Sequence, residues 1–448
     1  MELSKPSQEE RLIEAMIATA ARYGYGETSV ARVVAHAGVS RATFYQHFAD
    51  KEACFLAAYR EVAQRVAVEL KFAGESRQAG GRPREILRRL LEGADREPAS
   101  ARIVLLESLA AGPVVRVEHE KLRRAMEAAM ETYLDEAAVD GMQLEIPARS
   151  LLGGLGNVVA MRVFRGETGR LIGLLDDLEA WLRSYAMPAG RRRHQGDWTA
   201  MGRELWSPVE PERSVLDERL PRGRAALSPA VVASEQRQRV LAAVALLARE
   251  KGYTAMTVAD IVATAGITRE AFYEQFRSKE DAFLATQAYA LQTSVSRSAG
   301  SFFGEESWPD RVWNGVMALL HYFGSVPHLA ALDVVESYAA GSASIQRSFE
   351  ARMAFTLFLE DGYRQRPEAE VMPRLCSEAI AGAALEPLRH QTVADRADQA
   401  LELAPQIVYI ALAPFMGPAE ALELVESKCA AASSAPPARR PRERPRAG

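Results

Sequence analysis

Gly24–Ala57 reads GYGETSVARVVAHAGVSRATFYQHFADKEACFLA, and Gly252–Ala285 reads GYTAMTVADIVATAGITREAFYEQFRSKEDAFLA. The two stretches align without a gap at an offset of 228 residues, Gly24 onto Gly252. Gly, Tyr, Val, Ala, Gly, Arg, Phe-Tyr, Phe, Lys-Glu and Phe-Leu-Ala recur in register. Exchanges such as Val33 for Ile261, Val39 for Ile267 and Ser40 for Thr268 keep the chemistry. In the first copy Ser29–Ala37 is a short helix with Val30, Val33 and Val34 facing inward. Gly38 interrupts it, because a tight turn between steeply crossing helices needs a residue that tolerates positive φ. Val39 plugs the angle, and Ser40 caps the next helix, as Thr268 does in the second copy. Thr257 with Asp260 forms a capping box for the helix before it.

The helix Ser40–Phe48 turns Phe44 and Phe48 to a core. Arg41, Ala42, Thr43, Tyr45, Gln46 and His47 stay outward. Donors near the N-terminus, a phenol in the middle and an imidazole at the end suit a helix lying in a DNA major groove. Lys51 opens the following helix, with Lys279 as its counterpart, and a lysine there reaches a phosphate backbone. On spacing alone, an ordinary helical hairpin with a solvated polar face explains the pattern equally well.

The wider chain bounds the choice. Its 448 residues exceed one core and suggest two to four domains. With 48% hydrophobic and 25% charged residues it is composed like an ordinary globular protein. No apolar run approaches about 18 residues, so no membrane partner is expected. The N-terminus MELSKPSQEERLIEA lacks an apolar signal core, and a cytoplasmic location is expected. Cys54, Cys376 and Cys429 are scattered without metal-ligand spacing. The net charge of −4 argues against nonspecific coating of nucleic acid. Between Met1 and Arg60 seven Lys/Arg meet seven Asp/Glu, so any grip on DNA there rests on geometry more than on field.

Apolar residues recur at helical spacing, as in Ile13, Met16, Ile17 and Ala20 and their counterparts Leu241, Val244, Ala245 and Ala248. Period-2 segments are lacking, so the expected fold class is all-α. The repeat also runs past the opening motif. Glu107–Gly112 matches Glu336–Gly341 at an offset of 229, while Gly154 matches Gly382 and Trp181 aligns with Tyr409 at 228. The duplicated unit is far longer than a solenoid repeat.

The shared pattern Gly-Tyr-x(4)-Thr/Ser-Val-x(2)-Ile/Val-Val-Ala-x-Ala-Gly-Val/Ile-Ser/Thr-Arg-x(2)-Phe-Tyr-x(2)-Phe-x(2)-Lys-Glu resembles the signature of TetR-type transcriptional regulators, and both copies carry it. The resemblance implies two tandem units, each a helix-turn-helix head followed by a helical ligand-binding and dimerisation bundle. The expected boundaries are 1–58 and 59–188 for the first unit and 228–286 and 287–430 for the second. Between them 189–227 is a linker with prolines at 208, 211 and 221, in which Trp198, Leu205 and Trp206 pack on a neighbour. A Pro/Arg-rich tail, 431–448, is expected to be disordered.

In this family the last two long helices of each subunit pair as a four-helix bundle. Gly153, Gly154 and Gly156 suit such close approach, or else a groove inside one domain. Arg222 and Arg224 resemble a basic arm that enters a minor groove, or are solvated linker charges. The heads differ: Glu270 stands for Ala42, Glu274 for Gln46 and Gln275 for His47. The expected reading set is Ser40, Arg41, Ala42, Thr43, Tyr45, Gln46, His47 and Lys51 in head one. In head two it is Thr268, Arg269, Glu270, Ala271, Tyr273, Gln275 and Lys279.

No enzyme motif is present: HExxH, paired CxxC, a phosphate loop and GxSxG are all missing. The seven histidines are dispersed, and neither a metal nor a cofactor is expected. A small, mostly apolar effector is expected in each bundle, with Trp313, Met317, His321, Tyr322 and Tyr338 as its walls in the second, unless these simply fill a core. Two functions follow. One is a small-molecule-responsive repressor whose units form an intrachain pseudo-dimer on a double-stranded DNA operator that need not be palindromic, with higher homo-oligomers left open. The other is a helical ligand-binding or scaffold protein in which one head, the second before the first, no longer binds DNA.

Overall fold

Each unit opens with helices whose ends are fixed by their own side chains. The computed structural model describes residues 6–75, 81–136, 142–188, 198–205, 212, 214–216 and 228–434. Ser7 and Glu10 form a capping box at the start of α1 (Gln8–Tyr23), which leads to α2 (Val30–Ala37) and α3 (Arg41–His47). The first unit continues with α4 (Lys51–Glu75), α5 (Gly81–Arg96), α6 (Pro98–Arg102), a π-helical turn at Ile103–Glu107, α7 (Ser108–Ala110), α8 (Pro113–Glu136), α9 (Ala148–Arg165) and α10 (Leu175–Arg183). A two-stranded antiparallel ribbon joins β1 (Met142–Leu144) to β2 (Ala186–Pro188), with Gln143 opposite Met187. It is the one sheet among the described residues, as an all-α fold leads one to expect.

A bridging helix, α11 (Trp198–Leu205), precedes the second unit. That unit comprises α12 (Pro229–Ala255), α13 (Val258–Ala265), α14 (Arg269–Gln275), α15 (Lys279–Phe302), α16 (Trp308–Ser325), α17 (Pro327–Val334), α18 (Ser342–Thr356), α19 (Pro367–Glu370), α20 (Leu375–Val393), α21 (Ala404–Met416) and α22 (Pro418–Ser434). The last helix extends four residues past the boundary expected for the tail. Arg222, Arg224 and Trp206 lie outside the described residues.

Head one has its own core, built from Leu12, Met16, Val33, Phe44, Phe48 and Phe55. Val240, Val244, Ile261, Phe272, Phe276 and Phe283 take the same places in head two. The largest core belongs to neither unit alone, since Leu151, Leu155 and Trp181 share it with Ala379, Ala383 and Tyr409.

The units meet along α9 and α20. A Cβ on Gly153 would run into the Glu386 side chain and lie 3.0 Å from the Gly382 carbonyl. A Cβ on Gly154 would collide with the Trp181 ring and lie 2.7 Å from the Ala379 carbonyl. Gly382 meets Asn157 and the Gly153 carbonyl in the same way. Glycine is what lets the two backbones come this close. Of the three glycines expected at this seam, Gly153 and Gly154 sit there, whereas Gly156 has only Leu105 within 4 Å.

Polar contacts finish the junction. Asn157 donates to the Glu378 carbonyl at 3.0 Å, Tyr185 donates to the Ile410 carbonyl at 2.9 Å, and Arg162 pairs with Glu378. Trp198, expected to hold down the linker, is buried, with its ring 4.9 Å from that of Tyr409. Among the described residues no single helix is long and apolar enough to cross a membrane. The bent pair α16–α17 is apolar, and most of its residues are buried.

Candidate functional site

The turn between α2 and α3 has the geometry that its glycine requires. Gly38 is left-handed at φ 64°, and Gly266 repeats it at φ 66°. Ser40 Oγ then accepts from the Thr43 amide at 3.0 Å, and Thr268 Oγ1 from the Ala271 amide at 3.2 Å, so each reading helix starts at a side-chain cap. Thr257 and Asp260 form their reciprocal box in head two. A second copied device braces each turn: Arg11 reaches the Ala37 carbonyl at 3.4 Å, and Arg239 reaches that of Ala265 at 2.6 Å.

On α3, Arg41, Ala42, Tyr45, Gln46 and His47 are exposed and Thr43 is half-buried, while Phe44 and Phe48 are buried. His47 Nδ1 lies 3.8 Å from Glu9. On α14, Arg269, Glu270, Tyr273 and Glu274 are exposed, and the Arg269 guanidinium lies 5.6 Å from the centre of the Tyr273 ring. Ala271 is a correction to the expected reading set. It is 8% exposed, because its single methyl stays close to the helix and presents less surface than the longer, half-buried Thr43 at the same place. Gln275 is half-buried, and its Nε2 has no partner.

The two lysines expected on phosphates have internal partners. Lys51 Nζ donates to the Tyr25 carbonyl at 3.0 Å and lies 4.1 Å from that ring's centre. Lys279 Nζ donates to the Tyr253 and Met256 carbonyls, each at 2.9 Å. Burial pulls both ammonium groups below the usual lysine range. They fasten the end of the first helix of each head to the start of the fourth.

The same tyrosines hold each head to its body. Glu107, 3% exposed, accepts from the Tyr25 amide at 2.7 Å and from Arg102 at 2.9 Å. Burial pushes the Glu107 carboxyl up, against the pull of Arg102. Glu336 accepts from the Tyr253 amide at 2.8 Å and from Arg116 of the first unit at 2.9 Å. Gly24 and Gly252, at φ 83° and 76°, turn these amides towards the carboxylates. The repeated Glu-Ser was visible in the sequence, but its partner is a backbone amide, which no residue type announces.

A cavity of about 610 Å³ lies in the first unit and extends to the junction. Leu122, Met126, Leu155 and Gly156 line it from one unit, and Tyr338 and Arg352 from the other. Such a volume suits a small ligand. Beside it Arg123, Arg149 and Arg389 interleave with Glu120, Glu127 and Glu386. Burial lifts the Glu127 carboxyl to about 7. Burial also works to raise Glu386, but Arg389 and Arg123 outweigh it and hold that carboxyl below its usual range.

In the second unit a smaller cavity of about 160 Å³ lies beside α16. The expected effector walls there need correcting. α16 turns Val312, Gly315, Val316, Leu319 and Phe323 to this space, and Trp313, Met317, His321 and Tyr322 occupy other faces of the helix. Trp313 packs in the shared core, Tyr322 is buried elsewhere and His321 is exposed. Tyr338 does line a cavity, but it is the larger one. Among the described residues no group of three or more His, Cys, Asp and Glu is placed to hold a metal ion.

Two glycine-turned, side-chain-capped helix pairs, each exposing a polar reading helix, define a helix-turn-helix DNA-binding protein with two heads. The model of the bacterial regulatory proteins of the tetR family matches at residues 12–58 and again at 240–286. The chain is a transcriptional regulator that carries two tetR-family DNA-binding regions in tandem. It is 29% identical over 151 residues to the HTH-type transcriptional repressor AcnR of Corynebacterium glutamicum, covering 33% of this chain and 76% of that protein. With the AcnR of Corynebacterium diphtheriae it is 29% identical over 191 residues, covering 41% of this chain and 94% of that one. Among solved structures it matches the fatty acid degradation regulator FadR of Bacillus halodurans, at 17% identity and a TM-score of 0.35, over 42% of this chain and 99% of that one. The transcriptional regulator FadR of Bacillus subtilis in complex with stearoyl-CoA matches at 17% and 0.34, over 38% and 96%.

Proposed function

We propose that one chain acts as its own dimer: a cytoplasmic repressor that sets two unlike heads on a double-stranded DNA operator and releases it when a small molecule fills the cavity at the junction. The observation that carries this reading is the seam of α9 on α20, where glycines of both units bring the backbones together within one chain. The named relatives, both repressors, support the direction of control. Covalent linkage makes pairing independent of protein concentration, with an effective local concentration of about millimolar order. It also allows the halves to diverge, so the operator needs no strict palindrome. An effector acts by preferring one arrangement of the bodies, and the heads, fastened through Glu107 and Glu336, follow it.

Binding selection on random duplexes, followed by footprinting and sedimentation of the full chain, tests this. The expected outcome is a single asymmetric site occupied by one 49.1 kDa chain. A perfect palindrome bound by two chains would overturn the pseudo-dimer, and no specific site at low salt would overturn DNA reading itself.

A further inference from the structure

Two arginines hold equivalent places in the two units and have opposite surroundings. α8 begins at Pro113 and α18 at Ser342, an offset of 229 that sets Arg352 at the place of Arg123. Arg123 is shared among Glu120 at 2.9 Å, Glu127 at 2.8 Å and Glu386 at 2.6 Å. In the second unit Phe349 stands for Glu120 and Thr356 for Glu127, and across the seam Val158 stands where Glu386 stands in the second unit. The arginine is kept and its three carboxylates are replaced.

Arg352 is only 9% exposed, and its Nε and Nη2 are buried without a hydrogen-bond partner. Its guanidinium lies 4.6 Å from the centre of the Phe349 ring. Burial pushes the carboxyl of Asp333, which feels this arginine, towards its neutral form. A buried cation with unmade hydrogen bonds is costly unless an anion joins it. Arg352 also lines both the large cavity and the small one. Arg149 Nη1 borders the large cavity without a partner too, but its Nη2 is held by Glu127 at 2.8 Å.

We infer that the large cavity takes one amphipathic carboxylate per chain, its apolar body against the walls of the first unit and its carboxylate on Arg352 of the second. This rests on the cavity being the effector site. The space of about 160 Å³ beside α16 falls below the usual ligand range, so it is no second copy of this site. Guanidinium and carboxylate match in a two-pronged geometry that neither an alcohol nor an amine supplies. A ligand so held touches both units at once and fixes the angle between them.

The test is calorimetric titration of the full chain with sodium decanoate below its micelle concentration, beside 1-decanol and decylammonium. Decanoate should bind once per chain and at least tenfold more tightly than either. Arg352→Gln should abolish that preference, and Arg352→Lys should keep part of it. Gly156→Leu, which points a side chain into open space, should block decanoate while leaving the fold intact by circular dichroism. Equal affinity for decanoate and decanol, two decanoates per chain, indifference to Arg352→Gln, or no decanoate binding would each overturn the inference. A chain that binds its operator but not decanoate sinks this proposal alone. One that binds decanoate through Arg352 but no specific DNA sinks the repressor reading alone.

Discussion

Glu336 and Arg116, 220 residues apart and in different units, form an ion pair at 2.9 Å, and Glu336 also holds the Tyr253 amide at 2.8 Å. The first unit makes the equivalent latch with its own Arg102, 2.9 Å from Glu107. At an offset of 229, Arg102 falls on Ala331 and Arg116 on Ile345. Each carboxylate therefore keeps one arginine, but head one is braced from within its unit and head two from across the junction. Motion at the seam is bound to reach the second head more directly than the first.

Arg116→Ala should accordingly loosen head two while leaving head one in place, although the substitution lies in the first unit. Amide hydrogen exchange reads this, because the Tyr253 and Tyr25 amides are the groups the two carboxylates hold. Exchange at Tyr253 should quicken severalfold and Tyr25 should be unchanged. Glu336→Ala should go further, since breaking a buried pair costs about 3–5 kcal/mol, with the lower end apt for an Arg116 side chain that is 31% exposed. An unmoved Tyr253 amide in both variants would mean that the latch carries no strain between body and head.

The heads were legible in the sequence because their geometry is local. Gly38 makes a left-handed turn at its own position, Ser40 and Thr268 accept from amides three residues on, and such features leave a spacing that can be read. The latch was not legible, since Tyr25 and Glu107 are 82 residues apart and the donor is main chain. The effector walls failed for another reason. Trp313, Met317 and His321 share a helical spacing and stand out by size and chemistry, but the cavity faces the smaller Val312, Gly315, Val316 and Leu319. Periodicity identifies a stripe on a helix without saying which stripe meets a core and which meets a space. The bare Arg352 becomes visible only when its counterpart Arg123 is seen with three carboxylates around it.

Gly154→Ala should part the units or strain them. The new methyl would meet the Trp181 ring and lie 2.7 Å from the Ala379 carbonyl, and neither a packed indole nor a helix backbone can withdraw cheaply. Overpacking of this kind costs about 1–3 kcal/mol. Scanning calorimetry should show a lower melting temperature, with proteolysis newly admitted along α20. Gly156→Ala is the control, for its position has room, and it should melt as the parent does.

Stability should depend on pH through His119, whose half-buried ring sets Nδ1 3.3 Å from the Tyr59 hydroxyl and 3.1 Å from Ser108 Oγ, with Arg389, Glu386, Arg123 and Glu120 around it. Burial depresses it to about 3. A depressed histidine contributes stability above its unfolded value of about 6.5 and loses it as the pH falls, which is about 2 kcal/mol between pH 7.5 and 5. Glu127 runs the other way. Lifted to about 7, chiefly by burial, it contributes stability below its unfolded value near 4.5 that disappears as the pH rises through 7. The two slopes partly cancel in the parent chain. Denaturant titrations should therefore show His119→Gln losing stability as the pH rises from 5 to 7.5, and Glu127→Gln gaining it. A pair of variants with identical pH profiles would refute both assignments.

Head two should bind its half-site more weakly than head one, and for an identifiable reason. Glu270 and Glu274 are exposed on α14, where α3 has Ala42 and Gln46, and each brings a negative charge towards the phosphates. Converting them to the head-one residues, Glu270→Ala with Glu274→Gln, should tighten binding to any duplex by about tenfold or more at low salt. The slope of log affinity against log salt should change with it, by about 0.9 for each phosphate contact recovered. If Glu270 instead accepts from a cytosine amino group, the same double variant will bind nonspecific DNA better and the selected operator worse, with the loss confined to one base pair at about 1–3 kcal/mol. Measuring both duplexes across a salt series separates repulsion from readout. Tyr273→Ala supplies the reference: if it leaves operator affinity untouched while Tyr45→Ala abolishes it, the second head contributes no reading, and the carboxylates on α14 are simply the surface of a head that has left the DNA.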